Sequence, residues 1–112
     1  MEVVSREAVE EVEAVPGVHL GQLAAGERMS VQHYTVEPGE RVPEHSHPHE
    51  QAGFVTAGTA VFVVDGREVR ASVGDSYVVP GGEPHAVENR GDVPFTGVDV
   101  FSPPRENPDW EA

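Results

Sequence analysis

Short apolar runs separated by glycine and proline most constrain the fold of this 112-residue chain, which contains 12 glycines and 10 prolines. Pro38-Gly39 and Pro80-Gly81-Gly82 indicate turns, and Asp65-Gly66 between two apolar runs is typical of a hairpin. Many short strands with closely spaced turns predict an all-β sandwich or barrel. The predicted strands cover residues 18–23, 29–36, 42–47, 51–57, 59–64, 67–71, 76–79, 85–89 and 95–101.

The two ends of the chain differ from this pattern. Residues 5–14 have apolar Ala8, Val9 and Val12 at helical spacing with Ser5 as an N-cap, although an N-terminal strand fits them equally well. Residues 102–112 are rich in proline and are expected to be irregular. At this length we expect one domain, with N-terminal strands or an arm at 1–28, a barrel at 29–101 and the tail at 102–112.

Charge restricts the partners of the chain. Twenty acidic residues face seven basic ones, all arginine, which gives a formal net charge of −13. Nucleic acid and anionic membranes are therefore poor partners. An acidic protein from a GC-rich genome would explain this composition, but we favour a halophile, because self-repulsion of this size is destabilising unless salt screens it.

Cellular location follows only from what the sequence lacks. There is no cysteine, so cysteine usage says nothing about the redox compartment. No apolar run approaches the roughly 20 residues that a membrane span needs. The first 15 residues are acidic and lack the apolar stretch of a signal peptide, so we expect a cytoplasmic protein.

Histidines in two distant segments predict a metal site. His45 and His47 are one residue apart, so on one strand their side chains would share a face, and Gln51 follows four residues after His47. His85 lies behind a proline-glycine turn and can join them only in a folded sheet. Three imidazoles and a side-chain oxygen can bind a divalent metal and leave positions open, as catalytic sites do.

The identity of the metal and of the fourth ligand stays open at this point. The set suits one divalent transition metal (Zn, Ni, Fe, Mn or Cu) better than Ca or Mg. Gln51 makes it neutral, which leaves the full charge of the ion to polarise a substrate oxygen. His49 and Glu50 would replace Gln51 if the chain turned differently after Pro48. The alternative to a metal is a cluster of histidines that only form hydrogen bonds.

The last predicted strand carries a second set of candidates. Asp99 and Phe101 share one face of that strand, and an acid inside an apolar strand needs a partner or a function. Arg105 follows on a stiff Pro103-Pro104 loop, where it can bind a carboxylate. Asp99 could instead pair with Arg105 or a backbone amide in a structural role. Four other side chains are not expected to be part of a site. Phe54 and Tyr77 are expected in the core, His33 in the core or on the surface, and His19 in a structural or exposed position.

Two motifs in the chain resemble those of the cupin superfamily. Gly39, His45, His47 and Gly58 match the first motif, in which Gln51 stands where cupins have glutamate. The second motif is matched throughout, at Gly74, Pro80, Gly82, His85 and Asn89. The resemblance implies a double-stranded β-helix, the jelly-roll barrel, with a bound metal. It also implies a homodimer built on N-terminal strands.

The segments HSHPHEQ and DVFSPPRE further resemble small KdgF-like cupins of pectin and alginate breakdown, which convert 4,5-unsaturated uronates to the linear keto form. This implies that His45, His47, Gln51 and His85 hold the metal, and that Asp99, Phe101 and Arg105 line the site for a small anionic sugar acid. Three alternatives remain: a cupin dioxygenase acting on an aromatic substrate, a polyketide-cyclase-like cupin, and a cupin that binds a small ligand without turnover.

Overall fold

The structure, a computed structural model, describes residues 1–105. A short 3₁₀ helix at Arg6–Ala8 precedes ten strands. The strands are β1 (Val12–Val15), β2 (Val18–Ala25), β3 (Ser30–Val36), β4 (Arg41–His45), β5 (Glu50–Ala57), β6 (Thr59–Val64), β7 (Arg67–Ser72), β8 (Ser76–Val79), β9 (His85–Glu88) and β10 (Phe95–Ser102).

The strands form two antiparallel sheets that pack face to face. The larger sheet has the order β1-β2-β3-β10-β5-β8, and the smaller has the order β4-β9-β6-β7. Neighbours in each sheet are often distant in sequence, as when β10 inserts between β3 and β5. This is the jelly-roll arrangement of a double-stranded β-helix, so the predicted fold class is confirmed.

The core lies between the sheets and follows the alternation of the strands. In β10, Phe95, Gly97, Asp99 and Phe101 are buried, whereas the residues between them are only partly covered. Strand β5 shows the same alternation and buries Gln51, Gly53 and Val55. The alternation places Asp99 and Phe101 on the inner face, as the sequence predicted. The core cluster comprises Val18, Leu20, Tyr34, Val36, Val55, Ala60, Phe62, Ala71 and Phe95.

Most predicted strands are confirmed, including the hairpin at Asp65-Gly66, but two details were wrong. Of the two alternatives for residues 5–14, a helix and an N-terminal strand, the structure has a 3₁₀ helix only at Arg6–Ala8, and a strand begins at Val12. The strand predicted for 42–47 ends at His45. Phe54 points outward from β5 and is 47% exposed, so it is not a core residue. Within residues 1–105, no helix is long and apolar enough to cross a membrane.

Candidate metal centre and the cavity beside it

Three histidines from separate segments meet at one end of the sheets. His45 ends β4, His47 lies in the loop between β4 and β5, and His85 begins β9. Their candidate ligand atoms all lie within 4.8 Å of one another. The expectation that His45 and His47 project from one strand was wrong. Strand β4 ends at His45, the chain bends at Pro48 and His49, and the Gly82 amide donates to the His47 carbonyl at 2.8 Å.

Backbone carbonyls determine which nitrogen of each ring is available. The Nδ1 atom of His45 lies 3.0 Å from the carbonyl oxygen of Pro43. In the same way, His47 Nδ1 lies 3.1 Å from the His49 carbonyl oxygen, and His85 Nδ1 lies 2.8 Å from that of Glu83. A carbonyl oxygen only accepts, so each neutral ring carries its proton on Nδ1. The Nε2 lone pairs of all three histidines therefore remain available for a metal.

The Nε2 atoms lack the partners that a metal-free site would require. His47 Nε2 lies 3.0 Å from Gln51 Oε1, so two acceptor atoms face each other when the ring is neutral. His85 Nε2 is buried and has no hydrogen-bond partner among the described residues. Leaving buried polar atoms unpaired is unfavourable. A cation bound by these lone pairs would satisfy them, so the residues fit a divalent metal.

Electrostatics also keep the histidines neutral. Burial lowers the pKa of His45 to about 4, and the nearby His85, Arg105 and His47 lower it further against the opposing effect of the Pro43 carbonyl. Burial and then the charge of Arg105 lower the pKa of His47, although Gln51 opposes the shift. A neutral imidazole is the form that binds a metal.

The fourth candidate ligand is Gln51 rather than its neighbours. The Gln51 side chain is buried and faces His47, whereas Glu50 is exposed on the other side of β5. His49 lies beside the cluster, with its ring 5.5 Å from that of His47, but it is not one of the three clustered histidines. The register of β5 therefore favours Gln51 over the alternative of His49 and Glu50.

Asp99 is a buried carboxylate whose partners include side chains of strands β5 and β8. Its carboxylate accepts a hydrogen bond from the Tyr77 hydroxyl at 2.5 Å and another from the side chain of Gln51. Burial raises the pKa of the Asp99 carboxyl to about 6, although Tyr77, Gln51 and the charge of Arg105 oppose the shift. Tyr77 and Gln51 thus hold the Asp99 carboxylate, and the charge of Arg105 acts on it as well.

Phe101 and Arg105 form the adjoining wall. The Phe101 ring is fully buried and lies 5.6 Å from the His47 ring, edge to face. The Arg105 guanidinium carbon lies 5.0 Å from the centre of the Phe101 ring, a cation–π distance. The backbone amide of Arg105 donates to Ser30 Oγ at 2.9 Å, which anchors the loop after β10.

The structure thus brings all seven candidate side chains together. The rest of the predicted tail, including Trp110, lies outside the described residues.

Six of these seven side chains, all except His47, border a cavity of about 430 Å³ between the sheets. Its polar lining includes His45, Gln51, His85, Asp99 and Arg105, together with Gln32, Glu44 and Ser46. The remainder is lined mainly by apolar side chains of the core, among them Val18, Leu20, Val36, Phe62, Val87 and Phe95. A ligand that fits this cavity therefore needs both a polar and an apolar part.

Sequence reasoning missed two tyrosines at this site. Tyr77 was expected to be structural, and Tyr34 was not singled out, yet both line the cavity and their hydroxyls lie 3.1 Å apart. Burial raises the pKa of both phenols, so they remain protonated. An alternating strand pattern shows that Tyr77 points inward, but not that its hydroxyl meets Asp99. The other two histidines lie elsewhere: His33 beside Glu11, and His19 near Glu13 and Glu37.

Comparison of the sequence with known families and proteins gives matches in the same region. The cupin domain family matches residues 32–101. The tetracenomycin polyketide synthase protein TcmJ of Streptomyces glaucescens is 37% identical over 78 residues, which are 69% of this chain and 52% of that protein. Mannose-1-phosphate guanylyltransferase of Escherichia coli is 35% identical over 79 residues, 70% of this chain. The match spans about half of the first relative and 16% of the second.

Solved structures share the fold over most of the chain. KdgF from Halomonas sp. superposes with a TM-score of 0.86 at 22% identity, covering 96% of this chain and 97% of that one. The polyketide cyclase RemF from Streptomyces resistomycificus superposes with a TM-score of 0.81, also at 22% identity, covering 91% and 79%. At such identities the likeness establishes the fold alone.

Proposed function

Since this chain belongs to the cupin family, we propose that it is a metal-dependent isomerase that ketonises 4,5-unsaturated uronates. The observation that carries the proposal is the convergence of a buried acid, a cation and a metal-binding cluster on one cavity. Asp99 is linked to the cluster through Gln51, and Arg105 acts on both Asp99 and the histidines. The structural likeness to KdgF supports the same reading at the level of the fold.

Each side chain has a role that its surroundings support. His45, His47, Gln51 and His85 would hold one divalent transition metal, whose chemistry is to stabilise negative charge on a substrate oxygen. Arg105 would bind the uronate carboxylate, as guanidinium groups do through paired hydrogen bonds. Phe101 would pack on the sugar ring and fix its position beside Asp99.

Asp99 would transfer the proton. Ketonisation removes a proton from an enol oxygen and adds one to carbon, so the reaction is balanced without a further reactant. A carboxyl group with a pKa of about 6 both releases and accepts protons near neutral pH, which suits a general acid and base. Tyr77 and Gln51 fix the carboxylate, so that little motion is needed between the two transfers.

The test is a spectroscopic assay with 4,5-unsaturated galacturonate. We expect the metal-loaded protein in high salt to accelerate loss of the ultraviolet absorbance of the conjugated double bond over a blank. Asp99→Ala should lower kcat by roughly 10²-fold or more, the usual contribution of a general acid–base. Arg105→Ala should mainly raise KM. The proposal fails if a protein with confirmed bound metal does not exceed the blank, and oxygen uptake with aromatic substrates would then test a dioxygenase.

A second function, cyclisation of a polyketide-like substrate, is favoured by a different observation. Most of the cavity wall is apolar, which suits a fused aromatic chain better than a polyhydroxylated sugar. TcmJ, a polyketide synthase protein, is the relative with 37% identity. Binding of a naphthol and of galacturonate, each measured by the change in the visible absorption of bound Co²⁺ or by calorimetry, would separate the two functions. Tighter naphthol binding favours the second function.

We also propose that the protein forms a homodimer. The outer face of the larger sheet carries Phe54 and Val78, which are 47% and 63% exposed, together with the partly exposed Val98 and Val100. An exposed group of apolar side chains is unusual on a chain with a net charge of −13. Sedimentation equilibrium should give twice the chain mass, and Phe54→Glu should shift it towards the monomer. A monomeric wild-type protein at micromolar concentration would contradict this.

A further inference from the structure

We infer that Asp99 is a positioning residue for the metal centre, because its carboxylate holds the Gln51 amide in the orientation that presents the amide oxygen to the three histidines. This inference concerns metal affinity alone. It does not require turnover, and the identity of the substrate does not affect it.

The first step is the orientation of Gln51. Its side chain has an oxygen that accepts and a nitrogen that donates. Gln51 and Asp99 are buried on the inner faces of the paired strands β5 and β10, where Asp99 pairs with Gly53, two residues after Gln51. An ionised carboxylate only accepts, so in the interaction between the two side chains the amide nitrogen of Gln51 is the donor. The oxygen then points to the other side, where it lies 3.0 Å from His47 Nε2. One amide therefore joins the buried acid to the metal cluster.

The second step is what holds Asp99. The Tyr77 hydroxyl lies 2.5 Å from Asp99 Oδ1 and 3.1 Å from the Tyr34 hydroxyl. Tyr77 has one hydroxyl proton, and the carboxylate cannot donate, so Tyr77 donates to Asp99 and accepts from Tyr34. The result is a continuous chain of hydrogen bonds from Tyr34 through Tyr77 and Asp99 to Gln51. Such supports behind a ligand fix its orientation and affect metal affinity.

The third step is the space that these hydrogen-bonded side chains require. A side-chain carbon at Gly53 would collide with the Tyr77 phenol and with Asp99 Oδ1. A carbon at Gly97 would collide with the Tyr34 hydroxyl and with the Phe54 carbonyl. Both glycines lie at inward positions of β5 and β10, between which Asp99 pairs with Gly53. Glycine at positions 53 and 97 therefore leaves the space that the Tyr77 and Tyr34 phenols occupy.

This arrangement also explains why glutamine occupies position 51, where cupins have glutamate. A glutamate here would place a second carboxylate against Asp99 with no donor between them, in a site shielded from water. Glutamine replaces that repulsion with a hydrogen bond. Gln51 and Asp99 therefore form one functional unit.

The experiment measures Zn²⁺ affinity of the full chain by competition with a chromophoric chelator. Asp99→Ala should weaken Zn²⁺ binding by roughly 10- to 100-fold, the usual effect of losing a residue that supports a ligand. Asp99→Asn should stay close to wild type, because its side-chain carbonyl still accepts from Gln51 although the charge is gone. Equal losses in both variants would mean that charge alone acts, and would overturn the inference.

A double-mutant cycle with Gln51→Ala provides the second test. Gln51→Ala should weaken Zn²⁺ binding by itself, and Asp99→Ala should then add no further loss. The same loss from Asp99→Ala in both backgrounds, or no effect of Gln51→Ala, would overturn the inference. If Asp99→Ala does not fold by circular dichroism, Tyr77→Phe in the two Gln51 backgrounds provides the same comparison, with a smaller expected loss.

Discussion

At the scale of single residues, Gly53 is important because it has no side chain. We expect Gly53→Ala to destabilise the protein by about 1–3 kcal/mol, because the added carbon displaces the Tyr77 ring and the Asp99 carboxylate. Gly21→Ala is the matched control, since a carbon there would meet its nearest neighbours at 3.5 and 3.7 Å, ordinary contact distances. Thermal melts of both metal-free variants should differ by several degrees. Equal melting temperatures would mean that the phenol can move aside without penalty.

His33 gives a prediction about pH. Burial first, and then the charge of Arg6, lower its pKa, and Glu11 at 3.6 Å opposes the shift. Below the unfolded pKa of about 6.5, the unfolded chain therefore takes up a proton that the folded chain resists. The free energy of unfolding contributed by neutral His33 is present above that pH and is lost as the pH falls.

The check is urea unfolding of metal-free wild type and His33→Gln at pH 7.5, 6.5 and 5.5. The stability of the wild type should fall more steeply than that of the variant. The other histidines contribute equally to both curves, so the difference isolates His33. Parallel curves would show that His33 titrates alike in the folded and unfolded chains.

Residue types and spacing were sufficient to predict the candidate site, but not its internal contacts. The seven side chains named from sequence lie together, because motif spacing and strand alternation determine which segments meet and which residues point inward. The contact of Tyr77 with Asp99 joins strands 22 residues apart, and that of Tyr77 with Tyr34 joins strands 43 residues apart. Such contacts depend on the curvature and register of the closed sheets, which no local pattern encodes.

At the scale of elements, the β6–β7 hairpin tests whether the turn residues specify the register. Asp65 and Gly66 have φ values of 52° and 73°, as a two-residue turn between twisted strands requires. A carbon on Gly66 would meet no atom within 4 Å. The penalty of Gly66→Ala therefore comes from the backbone alone, and we expect a loss of about 1–2 kcal/mol.

Gly66→Asn is the control for this prediction, because asparagine is larger than alanine but tolerates the left-handed conformation better. Its melting temperature should lie between those of the wild type and Gly66→Ala. If both variants have the same melting temperature as the wild type, the strands rather than the turn determine the register of this hairpin.

The differences between predicted and observed elements have physical reasons. Strand β4 ends at His45, before the bend that follows His47. Pro48 indicated that the strand would end nearby, but not at which residue. Phe54 was expected inside because it is large and apolar. The alternation of β5 instead assigns its inner positions to Gln51, Gly53 and Val55. Side-chain hydrophobicity alone was a poorer guide than register.

At the scale of the whole molecule, net charge dominates the expected response to salt. Favourable pairs exist, such as Arg90 with Glu68 at 2.6 Å, but exposed pairs of this kind contribute little and weaken in salt. The 20 acidic side chains far outnumber the seven arginines, so most of their negative charge is not compensated. Raising the ionic strength from 0.05 M to 1 M shortens the screening length to about 3 Å and suppresses their mutual repulsion.

We therefore expect the urea midpoint of the metal-free protein to rise with KCl over this range, as the halophile hypothesis requires. The triple variant Glu2→Gln, Glu7→Gln, Glu27→Gln changes exposed positions only and lowers the net charge from −13 to −10, since three negative charges are removed. It should be more stable than wild type at 0.05 M KCl and similar at 1 M, because salt and substitution relieve the same repulsion. Equal KCl dependence in both proteins would assign the effect to ion binding or surface hydration, and the acidic composition would then need an explanation other than screening.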